Sequence, residues 1–490
     1  MERTAMADLV AWKASRRRKP LVLMGARQVG KTWLLHQFGT RHYQRVVEVS
    51  LDKSQVARSV FEGDLTIDRI VADLAVLDGR GPIDPANTLI LLDEIQEAPR
   101  ALAALKYFCE DAPQYHVASA GSLLGIAAHQ GTSFPVGKVN VLDIHPLSFA
   151  EYLAGVGESS LSDLVAEGRP DRFAPFHEQL VSHLRSFLFV GGMPEVVAEY
   201  SKARDPLVAR EVQHELVAAY ERDFSKHAPA SEVPRIRALF DSVPRQLARE
   251  NKRFTYGQVQ PGARSKTMEL ALGWLMDAGL IHQVHRVSTP RLPLAHYIDE
   301  SAFKLYYLDV GLVTSAVGLE PRVLLASDTA FTEFKGALAE QVVLQELIAA
   351  GTRPYSWTSR SGNAEVDFLA EVGTDIVPVE VKADVNLQAK SLRTYRDQFG
   401  PPRSVRLSLR PYRDEGWLVN VPLYAAARVP KDLVVPGSTA QQDAWRQSEA
   451  MLALARAQAE SVADGRDAVT MDAIDAAIAT SRTDRLRTSG

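Results

Sequence analysis

Two glycines bracket a run that ends in lysine and threonine: Gly25-Ala26-Arg27-Gln28-Val29-Gly30-Lys31-Thr32. The pattern G-x-x-x-x-G-K-[ST] suits phosphate, because glycines let the backbone curl its N–H groups and a helix N-terminus toward an anion. Lys31 would bring a cation to the β- and γ-phosphates, and the Thr32 hydroxyl would ligate Mg²⁺. Such a loop needs a hidden strand before it and an amphipathic helix after it. Leu21-Val22-Leu23-Met24 reads as that strand, and residues 33–38, opening at Trp33, read as that helix. Gly25 to Trp33 are therefore the expected nucleotide cradle.

Hydrolysis requires a second part, an acidic residue at the end of a buried strand. Thr88-Leu89-Ile90-Leu91-Leu92-Asp93-Glu94 supplies it. Asp93 would hold Mg²⁺ through water, and Glu94 would orient and polarise the attacking water. A third apolar run ends in Ser119-Ala120-Gly121-Ser122, where Ser122 either senses the γ-phosphate or lies in a plain turn.

A second constellation lies near the C-terminus. Glu340 sits in a helical pattern, Asp367 in a strand, and Glu380 and Lys382 in Ile376-Val377-Pro378-Val379-Glu380-Val381-Lys382. Side chains two apart on a strand share a face, so a hairpin turning at Gly373 brings Asp367, Glu380 and Lys382 together. The neighbours of Glu380 are apolar, and an enclosed carboxylate wants a cation. Asp367 and Glu380 are thus candidate metal ligands. Glu340, Asp367, Glu380 and Lys382 are candidate catalytic groups for attack on a scissile phosphate. The D-x12-E-x-K spacing after a helical glutamate resembles the PD-(D/E)XK nuclease fold.

The elements that must carry these residues fall into stretches of different texture. Apolar runs at 21–24, 46–49, 89–92, 116–118 and 139–144 alternate with helical patterns, which means βαβ units and a parallel sheet. Helical patterns at 176–190, 206–224, 234–249 and 266–278 follow, with strand-like stretches at 281–287 and 296–299. A helix and four strands come next, over 334–409. The fold class is α/β. Expected units are a P-loop domain (1–154), a helical lid or linker (155–230) and a winged helix (231–320). A restriction-endonuclease-like α/β domain (330–428) and an Ala-rich helical tail (440–490) complete the chain. Between Ser231 and Glu300, ten Lys or Arg stand against seven Asp or Glu, and Arg264 and Lys266 open the presumed recognition helix. That helix reads DNA or serves as a protein docking module. The stretch 357–363, with Arg360, is a candidate backbone-contacting loop.

Gly25–Thr32, LLDEIQEAP from Leu91, SAGSLLGI from Ser119 and VLDIHPLSFAEYL from Val141 together resemble the prokaryotic AAA-type ATPases of the archaeal-ATPase group. The resemblance continues through YERDF from Tyr220 and KLYYLDVGL from Lys304, and covers residues 5–425. It implies ATP and Mg²⁺ as cofactors, a winged-helix segment, a nuclease-like C-terminal domain and assembly into a homo-oligomer. Where that family has Gly-Arg before its PLSF segment, this chain has Gly137-Lys138, and lysine lacks the planar donor fork of arginine. Arg222 is the substitute candidate, or else a helix-end ion pair. Two readings of function follow. One is an ATP hydrolase coupled to a DNA-binding, metal-dependent nuclease domain. The other is an ATP-gated switch or DNA-binding regulator whose nuclease-like domain is a non-cleaving scaffold for a protein partner.

Composition sets the outer bounds. The 490 residues are too many for one ordinary core. With 56 basic and 60 acidic residues, net charge favours no nucleic acid, so any basic surface is local. Cys109 is the single cysteine and forms no disulfide within the chain, which fits a reducing compartment. No charge-free apolar run reaches membrane-spanning length, and the N-terminus has no secretory pattern. The cytoplasm is the expected location and no membrane partner is expected. The tail, with its periodic Met451, Leu452, Leu454, Ala455 and Ala459, packs on the body or binds a protein partner.

Overall fold

Strands without polar alternation must be covered on both faces, and the N-terminal sheet is covered in this way. The computed structural model describes residues 2–429 apart from 123, 130–133, 250–252, 322–331 and 384–388. Strands β1 (Leu21–Met24), β2 (Arg45–Ser50), β3 (Thr88–Asp93), β4 (His116–Ala120) and β5 (Asn140–Asp143) form one sheet in the order β2-β3-β4-β1-β5. Every pairing is parallel. Along β3, Leu89 and Leu91 enter one buried cluster while Ile90 and Leu92 enter another, as the period of two requires. The loop after β1 therefore emerges at the C-terminal edge of the sheet, where parallel α/β sheets open a crevice.

The helices His177–Val190, Pro194–Ala203, Pro206–His227, Val233–Leu247 and Ser265–Asp277 follow, then a hairpin of β6 (Ile281–Val287) and β7 (Ile298–Tyr307). The sequence reading ended the second of these strands at Asp299; the structure carries it to Tyr307. Residues 302–307 are buried on both sides, so no polar alternation marks them as a strand.

The helix Thr332–Ala349 leads into β8 (Tyr355–Thr358), β9 (Glu365–Val372), β10 (Asp375–Lys382), β11 (Ser404–Ser408), β12 (Arg413–Asp414) and β13 (Leu418–Pro422). Sheet pairing crosses the boundary drawn between residues 320 and 330. The eight strands run β12-β13-β11-β10-β9-β8-β6-β7, joined where Arg286 of β6 pairs with Ser356 of β8. Burial also crosses it. One apolar cluster runs from Leu9 through Phe187, Tyr220 and Phe240 to Val342, Val379 and Val429. Two smaller clusters cover the outer faces of the two sheets, one around Ile90 and Phe108, the other around Trp357 and Tyr395. The Ala-rich tail lies outside the described residues.

Candidate functional site

The loop between β1 and the helix Lys31–His42 takes its shape from two glycines that no other residue could replace without strain. Gly25 has φ +130°, and a Cβ there would lie 2.2 Å from the Ile144 carbonyl oxygen. Gly30 has φ +89° and caps the helix without a side chain, so the first helical N–H groups face the loop. Arg3 pins this loop from behind. Its guanidinium donates to the carbonyls of Val29 (2.9 Å) and His145 (2.6 Å). Ala26 and Val29 are buried, whereas Gln28 and Trp33 line the cleft in front.

Lys31 folds into the loop and donates to the carbonyls of Gly25 (2.9 Å) and Ala26 (2.6 Å). Burial pulls its pKa down to about 8, although Glu94 and Asp93 oppose this. Asp93 ends β3 and accepts from the Thr32 hydroxyl at 2.8 Å. Burial raises the Asp93 pKa, with the Thr32 hydrogen bond pulling the other way. Glu94 turns out of the strand at φ +50° and accepts from Ser122 Oγ at 3.1 Å and from the Gln96 amide. These groups surround a cavity of about 320 Å³.

Magnesium and ATP fit this set. A hydroxyl and a carboxylate already meet at 2.8 Å beside a lysine and an open helix N-terminus.

Two residues that hold Arg27 escaped the sequence reading. Asp223 pairs with Arg27, and Tyr220 donates from its hydroxyl to the Arg27 carbonyl at 3.0 Å. Both lie in the YERDF stretch, three apart on one helix face, which is the spacing that could have found them. Arg222, singled out there instead, is exposed. Lys138 pairs with Glu110 at 2.7 Å. It precedes β5, whose far end, Asp143, lies against Met24. Strand rise puts Lys138 on the order of 15 Å from its own loop.

At the second constellation the hairpin turns at Gly373-Thr374, as the spacing implied. Val379 pairs with Phe368, so the next step of the register sets Glu380 against Asp367. Glu380 is buried, with Oε1 2.8 Å from Lys382 Nζ, while its Oε2 is buried with no hydrogen-bond partner. Asp367 accepts from the Val381 N–H at 2.8 Å. Glu340, buried on the helix Thr332–Ala349, accepts from the Tyr306 hydroxyl at 3.2 Å. Arg360 is exposed in the turn between β8 and β9, and Arg264 and Lys266 are exposed at the start of the Ser265–Asp277 helix.

The sequence reading missed the cation at the centre of this cluster. Lys304 of β7 reaches in from the hairpin, with Nζ 2.5 Å from Glu365, 3.7 Å from Glu340 and 3.8 Å from Asp367. Burial works against its charge. Tyr306, Glu340, Glu365 and Asp367 outweigh that and hold its pKa well above the ordinary lysine value. Among the described residues no group of three or more His, Cys, Asp or Glu is placed to hold a metal ion. Of the two expected metal ligands, Asp367 thus lies 3.8 Å from Lys304, while Glu380 lies beside Lys382 with its Oε2 buried.

A parallel sheet, a glycine-bounded loop opening a helix, and an acid pair at the end of β3, one strand removed from β1 across β4, define a P-loop nucleotide module. Residues 17–153 match the model of the AAA domain family, which supports an ATPase of AAA type. Residues 181–323 and 335–424 match two domains of unknown function, DUF8612 and DUF4143. None of the curated proteins matches the chain. Among solved structures, the Walker-type ATPase of Pyrococcus abyssi is 15% identical over 64% of this chain and 95% of its own, with a TM-score of 0.40. The Aeropyrum pernix Orc1 protein in complex with DNA is 14% identical over 65% of this chain and 91% of its own, at 0.25. Cdc6p from Pyrobaculum aerophilum is 13% identical over 66% and 93%, also at 0.25. No helix among the described residues is long and apolar enough to cross a membrane.

Proposed function

We propose that this chain binds Mg-ATP in the cleft at Gly25–Thr32, hydrolyses it, and passes the nucleotide state to its middle and C-terminal segments. The 2.8 Å contact of Thr32 with Asp93 carries the reading, since it joins the two halves of a magnesium–phosphate site from separate elements. The loop N–H groups and the helix N-terminus would hold the phosphates. Lys31 would leave the carbonyls of Gly25 and Ala26 for the β- and γ-phosphates. Thr32, and Asp93 through water, would hold magnesium, which when bound neutralises charge on the phosphate oxygens. Glu94, steadied by Ser122 and Gln96, is set to orient water and accept its proton at Oε. The Arg27 contacts with Tyr220 and Asp223 give the helix Pro206–His227 a direct hold on the loop.

Phosphate release and binding of a fluorescent ATP analogue test this. Lys31→Ala is expected to lose binding. Glu94→Gln is expected to bind with turnover down about 10²-fold or more. Turnover that survives both substitutions refutes the site.

A second reading has the C-terminal domain act on DNA, with the exposed Arg264 and Lys266 and a winged helix making the contact. The helix followed by β8, β9 and β10, with Asp367 in register with Glu380, favours it. Lys304 within that cluster favours instead a domain that does not cleave, a scaffold for a protein partner. Plasmid DNA incubated with Mg²⁺ or Mn²⁺, with and without ATP, separates the two. Cleavage that Asp367→Ala abolishes establishes a nuclease; its absence leaves the scaffold.

A further inference from the structure

The geometry points to Arg27 as the arginine that stabilises the transferring phosphoryl group, acting within its own chain. This rests on the ATPase reading above and adds to it the one component left without an owner. Charge on the γ-phosphate oxygens in the transition state calls for a cation besides Lys31 and magnesium, and an arginine in that role is worth about 10³–10⁵ in rate. Lys138, where the related family has arginine, is paired with Glu110 and stands a strand length from its own loop. Arg222 is exposed. Among the described residues, Arg27 is the one arginine lining the cleft that also holds Lys31, Thr32, Asp93 and Glu94.

Its surroundings suit the task. Arg27 Nε donates to Ser122 Oγ at 3.3 Å, and Ser122 in turn donates to Glu94 at 3.1 Å, so the guanidinium sits beside the acid that orients water. Its Nη1 donates to Asp223, which serves as a resting partner. The fork leaves further N–H donors, and the guanidinium keeps its charge at any working pH. The incoming triphosphate competes with one carboxylate for that fork and outweighs it in charge.

In the step itself the water oxygen bonds to the γ-phosphorus. The bond from that phosphorus to the β–γ bridging oxygen breaks, and its electron pair leaves with ADP. The water proton passes to Glu94 and then to the released phosphate. Arg27 exchanges no proton; its N–H groups follow the charge on the γ-phosphate oxygens.

The test compares full-length wild type with Arg27→Ala, Arg27→Lys and Asp223→Asn, reading kcat by phosphate release and nucleotide affinity by a fluorescent ATP analogue. Arg27→Ala is expected to lower kcat about 10³-fold or more. Affinity should change far less than kcat does. Arg27→Lys keeps the charge opposite Asp223, so it tests the role even if the alanine variant does not fold, and it too should lose most of the rate for want of the fork. Asp223→Asn is expected to raise turnover by releasing the guanidinium. Trapping of ADP with aluminium fluoride should fail in Arg27→Lys while ADP binding persists. The inference is overturned if Arg27→Lys keeps wild-type kcat, or if Asp223→Asn loses turnover alongside it, which marks the pair as structural. A wild type that binds ATP without turning it over sinks the ATPase reading, and this inference with it.

Discussion

Replacing Lys304 by methionine keeps most of the aliphatic stem and removes the charge that three carboxylates share. The side chains of Lys304 and Glu340 are 5% and 4% exposed, and that of Asp367 is 15% exposed. Removing one partner of a buried ion pair leaves the other charge uncompensated and costs about 3–5 kcal/mol. Glu365, 38% exposed, is screened by water and adds little to this despite its short distance. Domains are stable by about 5–15 kcal/mol, so the loss should be plain in urea denaturation followed by circular dichroism. The folded pKa of Lys304 is raised above its unfolded value. Its contribution is therefore complete below about pH 10.4 and fades only as pH climbs through the higher folded value, so a measurement at pH 7 reads all of it. Glu365→Gln in the same assay should cost under about 1 kcal/mol. A Lys304→Met loss below about 1 kcal/mol, or one matched by Glu365→Gln, would refute the claim that Lys304 balances Glu340 and Asp367.

Two further expectations concern pH. Lys31, pulled down to about 8 by burial, is charged below that pH and loses its proton above it. ATP affinity should therefore fall about tenfold per pH unit above pH 8, with one proton taken up per nucleotide bound, by isothermal titration in buffers of differing ionisation heat. A flat affinity between pH 7 and 9 contradicts the burial of this ammonium. Glu346 is buried and pushed up to about 8, and it accepts from the Phe149 N–H at 2.6 Å. Its folded pKa exceeds the unfolded one, so it holds a proton that the unfolded chain releases, and stability should decline from about pH 4.5 to 8. Glu346→Gln should raise thermal stability at pH 7 and flatten that decline; destabilisation at pH 7 would show that the ionised form is the native one.

The nucleotide loop was legible in the chain because its chemistry is local. Gly25, Gly30, Lys31 and Thr32 act within eight consecutive residues, and backbone geometry demands those types at those places. Asp93, Glu94 and the β9–β10 hairpin were nearly as legible, since apolar runs and a period of two state which residues end a strand or share a face. What a strand lies beside is not written in its own pattern. Residues 302–307 gave no alternation because tertiary packing buries both faces, so β7 was cut short and Lys304 was hidden with it. The partnership of Arg27 with Asp223 spans 196 positions and exists only once a helix lies against the loop. Local residue types decided the phosphate cradle. Long-range packing decided which charges answer one another, because burial and neighbouring ions act through space and leave no period in the chain.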